Sequence, residues 1–315
     1  MAKPTEAHLC FDLGGTKLKG ALITAQGRIL EQTTSAVRQE EGYKGLLSLF
    51  QEVARELPST VKFKRVSIAS AGPLHPDKGL LLDPTNFFTG RKSWGVVPLV
   101  KDLKKIFRKP VRLENDAAAA VLGERWKGGH GKGENLIAIT LGTGVGIGVI
   151  ANGQLVRAGR GLHPEASHFQ VGTAEGYPCG CGMNGCMEAH LAGHHFSQRL
   201  GRLKGRPLTG QESVALAEHG DVWVQEAFKE YGRTLAQAIR TLCLFFAPET
   251  VVLSGGFSQA SHLFLPETQA QLPELLQRYR AGIDLLPKVK ISKLQTDAGI
   301  LGAAYLAKAP GSFSE

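Results

Sequence analysis

Two stretches of the chain share one pattern of apolar and polar positions. Residues 9–30 read LCFDLGGTKLKGALITAQGRIL, and residues 136–156 read LIAITLGTGVGIGVIANGQLV. Each is an apolar run, a glycine-rich turn carrying threonine, a second apolar run, and a tight turn (AQG, ANG) into a third. The pattern predicts, twice, a β-hairpin extended by one further strand. Self-similarity on this scale predicts two domains of like topology.

Between and after the echoes, helical and strand patterns alternate. GYKGLLSLFQEVAREL, residues 42–57, has apolar positions at helical spacing and stops at Pro58. RVSIASAG reads as a buried strand, and residues 73–98, rich in Pro, Gly and Asn, as a long loop of the kind that often carries function. VRLEND reads as a short strand, and AAAAVLGERW as a helix starting just after Asn115-Asp116. VQEAFKEYGRTLAQAIRTLCLFF has helical period and stops before Pro248, TVVLSGG is a strand entering a glycine turn, and DAGILGAAYLA is a closing helix. This alternation predicts α/β architecture.

Composition narrows the picture. A chain of 315 residues with 43% apolar content supports two packed domains. No run reaches the roughly 18 apolar residues of a membrane span. MAKPTEAH runs directly into a strand-like LCFDLGG, so no signal peptide is expected. With only five cysteines, a reducing cytoplasm is expected rather than a disulfide scaffold. The net charge of +9 would suit nucleic acid or an acidic substrate, but the basic residues are scattered through RVSIA, GRKSW, VKDLKKIFRKPVR and GRLKGR. Scattered cations are solvated faces, so neither a nucleic-acid nor a membrane partner is expected.

Candidate chemistry sits at the turns. Asp12-Leu13-Gly14-Gly15-Thr16-Lys17 places a carboxylate at a strand end, then glycines whose N–H groups can approach a phosphate, then a hydroxyl. Leu141-Gly142-Thr143-Gly144 repeats this, and Ser254-Gly255-Gly256 is a third such turn. Neither hairpin matches the GxxxxGK[ST] loop or a dinucleotide fingerprint. An ordinary glycine-rich hairpin explains one such turn, but three together favour a phosphate site. Asn115-Asp116 opens a helix and is explained by N-capping alone. A phosphoryl-transfer site also needs a carboxylate to orient and deprotonate the attacking hydroxyl, and Asp116 is the candidate.

PCGCGMNGCMEAH, residues 178–190, holds three of the five cysteines, with Cys10 and Cys243 far away in apolar runs. Disulfide, metal site and redox pair are the alternatives for such crowding. A redox pair is disfavoured because the loop lacks CxxC in a βα setting.

In order along the chain, DLGGTK at 12–17, END at 114–116, LGTGVGIG at 141–148, the cysteine loop at 179–186, SGGFS at 254–258 and DAGILGAA at 297–304 resemble the ROK family of sugar kinases and repressors. The resemblance covers nearly the whole chain. It implies two actin-like ATPase (ribonuclease H-like) α/β domains with an interdomain cleft. The smaller domain would span residues 1–115, with a C-terminal helix at about 297–315 packing back on it, and the larger would span 116–296 with the zinc loop.

Carried over residue by residue, the resemblance makes DLGGTK and LGTG the two hairpins that hold ATP with Mg²⁺. Asp12, Gly14, Gly15, Thr16, Lys17, Gly142, Thr143, Gly144, Gly255 and Gly256 would bind the nucleotide, with Asp12 near the metal. Lys17 and Arg160 are equally well explained as solvated cations. Asp116 would be the base that takes the proton from a sugar 6-hydroxyl, and Asn115, Glu165, Glu188 and Asn86 would contact the sugar. His168 lies eleven residues before Cys179, and Cys179, Cys181 and Cys186 follow C-x-C-x₄-C spacing. Three thiolates and one imidazole close a tetrahedral zinc shell without an open position, and the resembled family uses this set for structural Zn²⁺. The ion would fix Glu165 and Glu188, which flank its ligands, and so preorganise the sugar site. His163, His190, His194 and His195 lie nearby and receive no role.

The segment Leu162-His163-Pro164-Glu165-Ala166-Ser167-His168 departs from the family's glucokinases, which carry glycine where Pro164 and Ser167 stand. HPE is closer to the fructokinase branch. The expected activity is ATP-dependent phosphorylation of a neutral hexose at its 6-hydroxyl, glucose first. N-acetylmannosamine, N-acetylglucosamine and fructose are the alternatives. A sugar-responsive repressor is a different class of function, but the phosphate motif at residue 12 begins too early for a preceding winged helix. A homodimer is the expected assembly.

Overall fold

The two echoing segments fold as two copies of one strand arrangement. The computed structural model describes residues 6–84, 87–89, 92–172, 176–277 and 284–308. Its contacts divide the chain into two units. The first takes the chain up to Gly131, Leu155–Pro164 and the segment from Asp297 onward; the second takes Lys132–Gln154 and Glu165–Thr296.

In unit 1, β1 (Ala7–Leu13), β2 (Lys17–Thr24) and β3 (Ile29–Ala36) run antiparallel, followed by α1 (Gly42–Glu56) and β4 (Phe63–Ser70). The expected long loop contains two-to-three-residue strands: β5 (Leu74–His75), β6 (Leu80–Leu82), β7 (Phe88–Thr89), β8 (Lys92–Ser93) and β9 (Val96–Val97). Helix α2 (Leu99–Phe107), β10 (Val111–Asn115) and α3 (Asp116–Lys127) complete the N-terminal run. The sheet order is β10-β4-β1-β2-β3, with β4 parallel to both β1 and β10.

Side chains alternate across β1. Phe11 packs edge-on to Phe50 of α1 at 4.8 Å between ring centroids, so Leu9, Phe11 and Leu13 face α1. Asp12 therefore faces the other side, which the C-terminal helix α9 (Ala298–Lys308) covers. Helices α3 and α9 meet at backbone contact: a Cβ on Gly302 would fall 1.7 Å from the Ala119 carbonyl oxygen, and one on Gly123 2.2 Å from that of Ala298. This crossing keeps α3 in unit 1, so the structural division falls after that helix rather than at 115/116.

In unit 2, β11 (Leu136–Leu141), β12 (Val145–Ala151) and β13 (Gln154–Leu155) repeat the meander. After the cysteine loop come α4 (Met187–Leu191), α5 (Gly193–Lys204), α6 (Gly210–Glu218) and α7 (Val222–Phe246). Strand β14 (Thr250–Ser254), α8 (Ser261–Leu276) and β15 (Lys288–Ile291) follow. The order β13-β12-β11-β14-β15, with β14 parallel to β11 and β15, matches unit 1 strand for strand. Among the described residues no helix is long and apolar enough to cross a membrane.

Candidate active site

The carboxylates of unit 1 gather where strand ends meet helix starts. Asp12 closes β1, Asp116 opens α3, and Asp297 directly precedes α9. Lys19 stands opposite Asp12 on β2, and its Nζ lies 2.9 Å from Asp297 Oδ1. The start of α9 presses on Asp12, since a Cβ at Gly299 would lie 2.7 Å from Asp12 Oδ2. Burial pushes the Asp12 carboxyl up to about 7; the negative charges of Asp116 and Asp297 add to this, and Lys19 opposes it. Burial also raises Asp116, against hydrogen bonds from the Ala117 N–H, its own N–H and the Asn115 side chain. Carboxylates held this way accept protons and favour a cation beside them.

Asn115 has two tasks. Its Oδ1 caps α3, accepting from the N–H groups of Ala117 at 2.9 Å and Ala118 at 3.1 Å. The capping explanation therefore holds for Asn115, whose amide NH₂ also donates to the Asp116 carboxylate. Glu114, buried to 1% exposure, accepts from the Asn115 N–H at 2.9 Å. Arg157 holds Glu114 with both guanidinium arms. Asn86 lies outside the described residues.

The first glycine hairpin turns through Gly14 and Gly15, where the Gly14 N–H donates to the Lys17 carbonyl at 2.9 Å. Thr16 and Lys17 are exposed at the turn. In unit 2 the equivalent turn runs Gly142–Gly144, with the Gly142 N–H donating to the Gly144 carbonyl at 3.0 Å and Thr143 exposed. Gly255 sits against that turn at φ +85°, and a Cβ there would lie 2.4 Å from the Leu141 carbonyl oxygen. Only glycine meets both demands. Gly256 follows it as the start of a short 3₁₀ turn.

His168, Cys179, Cys181 and Cys186 bring one ligand atom each within 4.8 Å of one another. The Cys179 Sγ to His168 Nδ1 distance is 3.4 Å, and that from Cys181 Sγ to Cys186 Sγ is 3.5 Å. Burial pushes the Cys186 thiol up to about 12, with the neighbouring thiols adding to it, while the Met183 N–H holds Cys181 down. Such a donor set is stable as thiolates only around a cation, and one imidazole with three sulfurs suits tetrahedral zinc. Cys10 and Cys243 are buried elsewhere and free.

Glu165 is exposed ahead of the turn that carries His168, and its carbonyl accepts from the His168 N–H at 3.1 Å. Glu188 lies on α4, with Oε1 3.8 Å from Cys179 Sγ and Oε2 accepting from the Val145 N–H at 3.1 Å. Of the unassigned histidines, His190 packs edge-on to Tyr177 and His194 meets Gln198, so neither joins the ligand cluster. Arg160 is exposed, with a left-handed φ of 63°. Asp297 and Arg157 received no role from the sequence, and both enter the site through contacts distant in the chain.

Known proteins resemble this chain in sequence and fold. The ROK family pattern matches residues 8–310. The glucokinase of Thermotoga maritima is 30% identical over 311 residues, covering 94% of this chain and 96% of its own length. An N-acetylmannosamine kinase of Escherichia coli is 33% identical over 308 residues, covering 95% and 98%. The solved structure of a ROK family glucokinase from Streptomyces griseus, in complex with glucose and AMPPNP, matches with a TM-score of 0.82 at 25% identity, covering 95% of this chain and 98% of that one. The α/β units described above have the actin-like ATPase fold of these kinases. With its motifs in family order and the family pattern spanning nearly its whole length, the chain belongs to the ROK family.

Proposed function

We propose that the protein transfers the γ-phosphoryl group of ATP to the 6-hydroxyl of a neutral hexose, with glucose preferred. The observation that carries this is Asp116. It is a carboxylate raised by burial, anchored at the mouth of α3, and grouped with Asp12 in the unit that also holds the first glycine hairpin. A family relative solved with glucose and AMPPNP supports the substrate pair.

In this reading Asp116 accepts the proton as the 6-hydroxyl oxygen attacks phosphorus, and the bond from phosphorus to the β–γ bridging oxygen breaks. Its raised proton affinity brings it nearer the range of an efficient base at neutral pH. The Asn115 amide donates to a ring hydroxyl while its oxygen keeps the helix capped. Glu165 and Glu188 supply acceptors, which suit hydroxyls rather than phosphate. The turns at Gly14–Lys17 and Gly142–Gly144, with Gly255 and Gly256, hold the nucleotide. Asp12 would help hold the Mg²⁺ that accompanies ATP, which would neutralise phosphate charge. His168, Cys179, Cys181 and Cys186 would hold Zn²⁺, which closes the loop structurally and offers no open position. Five free cysteines fit a reducing cytoplasm, and a homodimer is the proposed assembly.

The acetamido sugars form the second reading, favoured by identity to the E. coli N-acetylmannosamine kinase. Ser167, buried two residues after Glu165, takes space that glycine would leave, which ranks them below glucose. Fructose ranks third, on HPE alone. The test is kcat/KM by ADP release across glucose, mannose, both acetamido sugars and fructose. Glucose should lead, and a tenfold or larger lead for an acetamido sugar would overturn the ranking. A sugar-responsive repressor would turn over none of them.

A further inference from the structure

Glu188 touches two structures at once. Its Oε1 lies 3.8 Å from Cys179 Sγ in the Cys/His loop. Its Oε2 accepts from the Val145 N–H at 3.1 Å, at the point where the Gly142–Gly144 turn enters β12. The fit is close, because a Cβ on Gly144 would lie 2.8 Å from that oxygen.

The same stretch of chain grips the other end of the turn. Cys186 is the N-cap residue of α4, and the chain leaving α4 places the Gly193 N–H 2.8 Å from the Gly142 carbonyl oxygen. A Cβ at Gly193 would lie 3.2 Å from that oxygen and 2.7 Å from the Phe257 ring. The turn is therefore held at both ends by the segment that starts at a cysteine of the cluster. A carboxylate bonded to a backbone N–H is a strong tether, and one oriented by a cross-linked loop is stiffer still.

We propose that Glu188 is a positioning residue for the nucleotide turn, coupling the order of the Cys/His loop to the affinity for the ATP phosphates before any sugar binds. This goes beyond a sugar contact, because Oε2 is already engaged and only Oε1 faces the loop. It rests on the assignment of Gly142–Gly144 as a phosphate turn. The thermodynamic consequence is that loosening the loop weakens nucleotide binding by way of Glu188.

The test is the affinity for Mg-AMPPNP without sugar, measured by calorimetry, with zinc content and melting temperature recorded for each protein. Glu188→Gln keeps an acceptor for the Val145 N–H and should bind within about twofold of wild type. Glu188→Ala removes the acceptor, and Glu188→Asp is too short to reach it. Both should bind about tenfold more weakly while retaining the metal. Chelation should weaken wild type to a similar degree and add little to the loss in Glu188→Ala. Should Glu188→Ala fail to fold, Glu188→Asp carries the test, as it keeps the charge. Wild-type affinity in the Ala or Asp variant would overturn the inference and leave Glu188 to the sugar alone. So would equal weakening by chelation in wild type and Glu188→Ala. A wild-type protein unable to bind Mg-AMPPNP would instead overturn the phosphate-turn assignment beneath it.

Discussion

Arg157 holds Glu114 in a two-pronged ion pair, Nη1 to Oε1 at 2.6 Å and Nη2 to Oε2 at 2.5 Å. Glu114 is buried and accepts the N–H of Asn115, so the pair fixes the backbone that presents Asn115 and Asp116. A guanidinium matches both oxygens, whereas an ammonium matches one. Arg157→Met leaves a buried carboxylate without its cation and should cost about 1–2 kcal/mol of stability, the half-exposed arginine limiting the loss. Arg157→Lys should recover part of that stability and of kcat. Thermal melts alongside sugar kinetics check this, and a Met variant unchanged in both would remove Arg157 from the site.

Asp12 makes stability depend on pH. Its folded-state carboxyl titrates at about 7, above its usual value of 3.8, so the folded protein binds a proton the unfolded chain has released. Stability from this group is full below about pH 4 and is lost as pH rises through about 7. Asp12→Asn removes that dependence. With neither Mg²⁺ nor nucleotide present, the variant should gain more in melting temperature at pH 8 than at pH 5, while losing activity. A gain that is equal or larger at pH 5 would contradict the shift.

The crossing of α3 and α9 has no room for a side chain at Gly302, where a Cβ would fall 1.7 Å from a backbone oxygen. Gly302→Ala should destabilise unit 1 by more than about 2 kcal/mol, in the range of overpacked cores. It should also lower kcat, because α9 carries Gly299 against Asp12. A denaturant midpoint near wild type would show that the helices separate easily.

The Cys/His cluster should hold one zinc per chain. Cys181 is the exposed ligand of the four, so Cys181→Ser should fold and yet lose the metal, together with affinity for glucose. Elemental analysis with glucose titration checks this. Metal-free protein that phosphorylated sugar at full rate would contradict the preorganising role of the loop.

What was legible in the chain was what repeats or sits close together. The two meanders were visible as an echo because strand burial and glycine turns leave a period of their own. The cysteine cluster and the END strand end were visible because their parts are near neighbours. Pairings that span the chain leave no such mark. Lys19 and Asp297 are 278 residues apart, and Arg157 and Glu114 are 43 apart, so nothing local marked Arg157, and Asp297 was visible only as the start of DAGILGAA and not as the partner of Lys19. Helix α8 was hidden for another reason, since Pro266 and Pro273 interrupt its pattern although both lie inside the helix. The second contact of Glu188 was equally invisible, because its partner is a backbone N–H that any residue at 145 would supply.

The most direct test of the kinase assignment is the turnover of Asp116→Asn with glucose and MgATP, measured beside its glucose affinity. Asparagine keeps the shape and one acceptor oxygen for the Ala117 N–H but cannot take the proton. A base acting in the transition state should be missed in kcat far more than in binding. The account predicts a fall in kcat of about 10²–10⁴-fold with glucose affinity changed much less. Near-normal turnover in Asp116→Asn would contradict it.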